Sequence, residues 1–210
     1  MKRKFRIILV LTLTLVMLLS ACQPRDLPSN GDKKTTSAAD SESGDEQNPS
    51  VPPKSIGEIK NWKFSTDDID GNHVDESIFS EARLTMVNIW ATWCGPCIAE
   101  IPHIGELAKD EFADMNIQVM GIVSDAELGG DNEMALVNAK YILEVSGASY
   151  LNVLFNSPDM YESLLKFVGG YPTTIFMDSQ GNVVGSEILG MRSKEVFLEE
   201  AQQRLDMLND

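Results

Sequence analysis

A pair of cysteines, Cys94 and Cys97, stands between a short apolar run and a segment of helical character. The apolar run, Leu84–Trp90, is rich in strand-favouring residues and predicts a central strand buried on both faces. A helix is expected to begin near Cys94 and to extend to about Lys109, with a bend at Pro102. This order of strand, turn and helix predicts an α/β fold in which both sulfurs lie on one helical turn, close enough to form a disulfide.

The rest of the chain beyond residue 55 also alternates between strand and helix patterns. A second apolar run, Ile117–Val123, predicts another buried strand, and an acidic, glycine-rich stretch at 125–131 follows it. Ser193 can cap a final helix. We therefore expect a sheet that is mixed rather than wholly parallel. The other predicted elements are a hairpin of residues 62–64 with 73–74, helices at 133–145 and 158–167, a strand at 151–155, and a second hairpin of 174–177 with 183–189.

The position of Cys94 at a helix start gives its sulfur a chemical role. Unpaired backbone N–H groups and the positive end of the helix dipole favour thiolate over thiol, so the pKa of Cys94 is expected below that of a free cysteine. A thiolate attacks a disulfide to form a mixed disulfide, which a neighbouring thiol then resolves. We therefore predict that Cys94 is the nucleophile and that Cys97 is the buried resolving thiol.

Two motifs resemble those of the thioredoxin superfamily, and they are Trp93-Cys94-Gly95-Pro96-Cys97 and Tyr171-Pro172-Thr173. The resemblance covers roughly residues 55 to 205 and implies a thioredoxin-like three-layer fold, with a mixed central sheet flanked by helices. In that family the second motif is a cis-proline loop packed against the active-site disulfide, and Pro172 matches it. The resemblance also implies that substrates contact the following residues: Trp93, Gly95, Pro96, Tyr171 and Pro172.

Within the superfamily, the chain is similar to the exported TlpA/ResA-like thiol reductases, through the run from Cys94 to Pro102 and the extra residues after the second strand. In cytoplasmic thioredoxins an acidic residue lies six positions before the first cysteine. Here that position is Asn88, which cannot exchange a proton at neutral pH. Glu100, one helical turn after Cys97, is the candidate replacement that accepts the proton of Cys97. The alternative is that Glu100 is a solvated helix charge.

The first 21 residues have the features of a bacterial lipoprotein signal peptide. A basic stretch precedes an apolar run at 7–19, which is shorter than the roughly 20 residues of a membrane-spanning helix. Leu19-Ser20-Ala21-Cys22 resembles the lipobox, in which the cysteine is diacylated and the peptide is cut before it. An ordinary signal peptide or a retained membrane anchor is the alternative. Residues 22–54 are polar and predict a disordered tether, followed by a thioredoxin-like domain at 55–210.

These features together predict an enzyme, a thiol–disulfide oxidoreductase on the extracytoplasmic face of a bacterial cell membrane that reduces protein disulfides. The Gly-Pro dipeptide between the cysteines is that of thioredoxin, a strong reductant. No nucleotide or flavin motif is visible, so no cofactor is expected, and the resemblance suggests a transmembrane CcdA/DsbD-like protein as electron donor. Acceptors in similar proteins include apocytochrome c and oxidised methionine sulfoxide reductases. The net charge of −15 argues against a nucleic-acid partner.

Three alternative functions remain open at this point. The same fold could run in the opposite direction, as a disulfide-forming oxidase. A copper-delivering lipoprotein of the Sco type resembles a Cys-X-X-X-Cys pair with a downstream histidine, whereas this spacing is one residue shorter and no histidine follows His103. A peroxiredoxin needs a peroxidatic cysteine in a different local setting. No metal ligand set is expected, because the chain has three cysteines and no clustered histidines, and His73 is expected to be structural.

Overall fold

The computed structural model describes residues 55–130 and 132–209. The predicted signal peptide, the lipidated Cys22 and the tether lie outside the described residues and stay predictions. Within the described part of the chain, no helix combines the length and the apolar character needed to cross a bilayer.

A five-stranded sheet forms the centre of the domain, and a separate two-stranded hairpin lies before it in the chain. The hairpin strands are β1 (Ser65–Asp67) and β2 (His73–Asp75), and the sheet strands are β3 (Leu84–Trp90), β4 (Ile117–Val123), β5 (Leu151–Leu154), β6 (Thr173–Asp178) and β7 (Ile188–Leu189). The order across the sheet is β5-β4-β3-β6-β7. β3 pairs in parallel with β4 and antiparallel with β6, so the predicted mixed sheet is confirmed.

Helices cover both faces of this sheet. Alternate residues of β3 point to opposite sides, so that Val87 belongs to one core cluster and Met86 to the other. Met160 packs in the first cluster, whereas Ile104 and Phe197 pack in the second. The three-layer α/β fold is therefore confirmed. The helices are α1 (Gly95–Lys109), α2 (Glu111–Asp114), α3 (Glu133–Ser146), α4 (Pro158–Ser163) and α5 (Lys194–Met207).

The central strands and the first helix have the bounds that their sequence patterns predict. Every residue of β3 is buried, in agreement with its mostly apolar sequence. Pro102 lies inside α1 as expected. Ser193 caps α5 as predicted, because its Oγ accepts a hydrogen bond from the backbone N–H of Val196 at 3.5 Å.

Three predicted elements differ from the structure. The helix expected at 158–167 ends at Ser163, because Leu164 leaves the helical region with φ −138°, and a 3-10 turn, Leu165–Phe167, follows. The second hairpin strand, expected at 183–189, is interrupted by Gly185 at φ +74°, a conformation that glycine adopts readily. At its end β7 pairs with β6 over two residues, and at its start Val183 forms a single antiparallel bridge with Met177. In the first hairpin, the strand begins at Ser65 rather than within 62–64.

Gly121 in β4 has no room for a side chain. A Cβ there would overlap Oδ1 of Asn152, which accepts a hydrogen bond from Nε1 of Trp90 at 3.0 Å. We expect Gly121→Ala to lower the free energy of unfolding by about 2 kcal/mol, through overpacking and loss of this buried hydrogen bond. Urea denaturation measures the change, with Gly57→Ala as control because nothing lies within 4 Å of a Cβ at Gly57. Equal stabilities for the two variants would contradict the packing described.

Candidate active site

Cys94 is the N-cap residue of α1, and its sulfur faces the first turn of that helix. Its Sγ accepts a hydrogen bond from the backbone N–H of Cys97 at 3.3 Å. The two cysteines form a disulfide with Cα atoms 5.3 Å apart, so the predicted pairing is present. Pro96 lies in the first turn, where its missing N–H removes no hydrogen bond from the helix. After reduction, the same N–H group and the helix dipole would favour a thiolate at Cys94.

The two cysteines differ in access to solvent. Cys94 retains 5% of its surface exposed and Cys97 retains none. A partner disulfide can therefore reach Cys94 but is screened from Cys97. This difference supports the predicted roles of nucleophile and resolving thiol, which stay predictions.

The residues that the resemblance assigns to substrate contact lie around this disulfide. Trp93 is 69% exposed and meets Tyr171 edge-on, with ring centroids 5.7 Å apart. The Tyr171–Pro172 peptide bond is cis, as the resemblance implies. Tyr171 packs against the apolar cluster that includes both cysteines. Gly95 and Pro96 are exposed beside them. The structure thus brings the two motifs together, and their role in substrate binding stays a prediction.

A carboxylate that the sequence did not single out holds the loop before Cys94. Asp125 accepts hydrogen bonds from the backbone N–H of Thr92, at 3.0 and 3.2 Å to its two oxygens, and from the Thr92 hydroxyl at 2.6 Å. Sequence reasoning took Asp125 only as the start of an acidic stretch. The signal was available, because neighbouring parallel strands end at the same edge of a sheet, and Thr92 and Asp125 each lie two residues past such an end.

Glu100 is fully buried, which excludes the alternative of a solvated helix charge. Its Oε1 accepts a hydrogen bond from Nδ2 of Asn88 at 2.8 Å, and its Oε2 accepts one from the backbone N–H of Arg192 at 3.2 Å. Burial raises the pKa of Glu100 to about 7, while the hydrogen bonds from Asn88 and Arg192 oppose the rise. A carboxyl group with this pKa can both take up and release a proton at neutral pH.

Asn88 connects this carboxyl group to the strand that follows the cis-proline. Its Nδ2 also donates to Oγ1 of Thr174 at 3.1 Å, and the residue is fully buried. The Asn88 amide neither gains nor loses a proton at neutral pH, so it positions Glu100 rather than replacing the missing acidic residue.

The histidines do not take part in this arrangement. His73 in β2 lies 4.0 Å from a carboxylate oxygen of Asp67 and is exposed, and His103 is exposed on α1. Among the described residues, no group of three or more histidine, cysteine or acidic side chains could hold a metal ion.

Comparison with known proteins agrees with this geometry. The Redoxin family matches residues 54–202. The thiol-disulfide oxidoreductase ResA of Bacillus cereus is 23% identical over 133 residues, which are 63% of this chain and 69% of that protein. A thioredoxin-family thiol:disulfide interchange protein from Chlorobium tepidum is 25% identical, with a TM-score of 0.56 over 74% of this chain and 99% of that one. The exposed lipoprotein thioredoxin of Streptococcus pneumoniae is also 25% identical, with a TM-score of 0.51 over 68% and 99%.

The family match covers more than half of the chain and includes both motifs that lie around the disulfide. The similarity to ResA covers 63% of the chain, and the similarity to the interchange protein covers 74% of it. The expected ResA-like character is therefore confirmed, and the enzyme is a thiol–disulfide oxidoreductase. The chain belongs to the Redoxin family, within the thioredoxin superfamily.

Proposed function

We propose that this protein reduces disulfides of other proteins outside the cytoplasm. The observation that carries the proposal is the cysteine pair at the start of α1, in which Cys94 retains access to solvent and Cys97 does not. The buried Glu100, one helical turn beyond Cys97, supplies a proton acceptor on the same helix.

In the first step, the Cys94 thiolate attacks one sulfur of a substrate disulfide. A new bond forms between that sulfur and Sγ of Cys94, the substrate S–S bond breaks, and the other substrate sulfur leaves as a thiolate that takes a proton from water. The backbone N–H of Cys97 and the dipole of α1 favour the attacking anion. Trp93 and Tyr171 supply an apolar surface for the approaching chain.

In the second step, the Cys97 thiol gives its proton to the Glu100 carboxylate and its sulfur attacks Sγ of Cys94. The mixed disulfide breaks, the second substrate sulfur leaves and is protonated, and the Cys94–Cys97 disulfide remains. Two electrons have passed to the substrate. Asn88 keeps Glu100 in place throughout, through the 2.8 Å hydrogen bond. A second dithiol must then reduce the pair, and we propose a CcdA/DsbD-like transmembrane protein for this role.

The direction of electron flow can be measured directly. We expect the Cys94–Cys97 pair to be more reducing than protein disulfide isomerase, whose potential is about −180 mV, because the Gly-Pro dipeptide is that of thioredoxin. Equilibration with defined ratios of reduced and oxidised glutathione, followed by alkylation of free thiols, gives the potential. A value at or above that of the isomerase would favour the oxidase alternative instead.

The proposed location is the outer face of the cell membrane, with the domain attached through acylated Cys22. Its support is the lipobox-like sequence and the similarity to the exposed lipoprotein thioredoxin of Streptococcus pneumoniae. There, apocytochrome c and oxidised methionine sulfoxide reductases are the candidate acceptors.

Removal of the lipid attachment site tests this location. We expect Cys22→Ser to abolish the incorporation of radiolabelled palmitate into the protein, because the substitution removes the sulfur to which the lipid is attached. Autoradiography after immunoprecipitation detects the label, and Cys94→Ser is the matched control that should keep it. Equal labelling of the two variants would contradict attachment at Cys22.

A further inference from the structure

Helix α3 carries a row of large apolar side chains that face solvent. Met134, Val137, Tyr141 and Val145 are each at least 56% exposed. Their spacing of three, four and four residues places them along one face of the helix, over roughly 16 Å. We call these four residues the α3 stripe. Single exposed apolar residues are ordinary on a protein surface, whereas a contiguous row of this kind is typical of an interaction site.

The α3 stripe is additional to the face that fixes α3 in the fold. The opposite side of the helix, which includes Ala135, Leu136 and Ala139, packs in the apolar cluster that also contains Cys94 and Cys97. α3 is therefore held against the active-site region by one apolar face while it presents a second one to solvent. The stability of the domain explains the first face and leaves the second without a role.

The N-terminal end of α3 is connected to the loop that carries the reactive cysteine. Asn132, its N-cap residue, donates through its side chain to the backbone carbonyl of Asp125, whose carboxylate binds Thr92. The loop between them also contains Leu128, which is exposed. The N-terminal end of α3 therefore lies at the same edge of the sheet as the loop before Cys94, which places the start of the α3 stripe on the active-site side of the domain.

The charges beside the α3 stripe indicate what such a protein must present. Glu133 and Glu144 lie along one border of the stripe by helical geometry, and neither forms an ion pair within the described part of the chain. Lys140 lies on the same border, but its charge is paired with Asp70 at 2.9 Å. The border is therefore acidic, and it favours a partner with lysine or arginine next to its apolar residues.

A second copy of this chain is a poor occupant for the α3 stripe. Four side chains expose on the order of a few hundred Å², below the roughly 800 Å² that each partner buries in a stable interface. Each copy would also bring a net charge of −15 and the same acidic border. The area and the charge fit a transient contact with a cationic protein.

We propose that the α3 stripe is a docking surface for the protein substrate whose disulfide Cys94 reduces, and that this substrate presents an apolar segment bordered by basic residues. The inference rests on the proposed function, because it assumes that Cys94 reacts with proteins. It adds the recognition element, which lies on α3 rather than on the cysteine motif.

Synthetic peptides can test this docking on the full, reduced chain. Each peptide is an amphipathic helix with one cysteine in a mixed disulfide with a chromogenic thiol, and its apolar face is bordered by lysines in one version and by glutamates in the other. We expect the lysine peptide to release the chromophore about ten-fold faster than the glutamate peptide. Val137→Lys combined with Tyr141→Lys should abolish most of that difference.

A control variant separates local docking from the general attraction of an acidic protein. Gln203→Lys with Met207→Lys adds the same charge on α5, at the end of the domain where Arg83 binds Asn209, away from the cysteines. This variant should keep the preference for the lysine peptide. An equal loss of the preference for the lysine peptide in both double variants would overturn the proposal. It would also be overturned if sedimentation showed a dimer of the parent protein that only the α3 variant abolishes.

A small probe distinguishes failure of docking from failure of the proposed function. The mixed disulfide of glutathione with the same chromogenic thiol has no docking segment, so the α3 variant should reduce it as fast as the parent protein does. Reduction of this probe without any peptide preference would overturn the docking surface alone. No reduction of the probe by the parent protein would overturn the proposed function itself.

Discussion

Replacing Cys94 with serine is expected to lower the rate of disulfide reduction by roughly a thousand-fold or more, because Cys97, the other cysteine of the described residues, is fully buried. Replacing Cys97 with serine should have a different result. The first attack by Cys94 still takes place, but the mixed disulfide then has no neighbouring thiol to resolve it. The Cys97→Ser protein should therefore accumulate covalently linked to its substrates.

The two variants are compared by non-reducing electrophoresis and mass spectrometry after exposure to an oxidised protein substrate. Cross-linked species should be abundant with Cys97→Ser and nearly absent with Cys94→Ser, because Cys97 is fully buried and Cys94 is not. The double variant is the control for non-specific adducts. Equal trapping through Cys97 in the Cys94→Ser protein would show that the roles are reversed.

The second large effect concerns Glu100 and the pH dependence of stability. Its pKa is raised from 4.5 to about 7, so the folded protein binds a proton on this group between these values that the unfolded chain has released. Glu100 therefore makes its full contribution to the free energy of unfolding below pH 4.5, where it is protonated in both states. This contribution is lost as the pH rises through the folded-state pKa of about 7. The difference corresponds to about 3 kcal/mol. Glu100→Gln should remove this pH-dependent contribution.

Urea denaturation of the oxidised parent and the Glu100→Gln protein, at pH 4 and at pH 8, measures this contribution. Other carboxyl groups, such as Asp68 and Glu111, have a lowered pKa and also make stability depend on pH. Their contributions cancel in the comparison, because both proteins contain them. Glu106→Gln is the control on the same helix, since Glu106 is exposed. A parent and a Glu100→Gln protein with parallel stability profiles would mean that the pKa of Glu100 is not raised.

The same variant should also change catalysis. Without a proton acceptor for Cys97, we expect Glu100→Gln to slow resolution of the mixed disulfide by about a hundred-fold. Resolution in the parent should accelerate as the pH rises through about 7, because the ionised carboxylate is the form that accepts the proton. Rapid-quench measurement of the mixed disulfide reports both effects, and an unchanged pH profile in the variant would exclude Glu100 from the step.

The sequence predicted best those features that depend on neighbouring residues. The strands β3 and β4 are mostly apolar runs, and the sequence predicts both with their observed bounds. The pairing of Cys94 with Cys97 follows from their spacing on one helical turn. The sequence does not predict the break at Gly185 in the strand expected at 183–189, because the apolar residues on either side of it have the pattern of a single strand.

The surroundings of Glu100 could be predicted only in part, for a physical reason. Helical spacing alone predicts that Glu100 lies on the same side of α1 as Cys97. One of its two hydrogen-bond donors is the backbone N–H of Arg192, which is 92 residues away in the chain. A contact of that kind leaves no pattern in the local sequence. The bond from Asp125 to Thr92 also joins distant residues, but there the parallel pairing of β3 and β4 provides a clue.

The screening of Cys97 has a consequence for chemical damage. Peroxides and alkylating reagents act on accessible thiolates, and of the two cysteines only Cys94 keeps any exposed surface. Oxidation of Cys94 to a sulfenic acid would place it next to a protected thiol, which can condense with it and restore the disulfide. The protein should thus survive a single oxidative event by returning to a normal state of its own catalytic cycle.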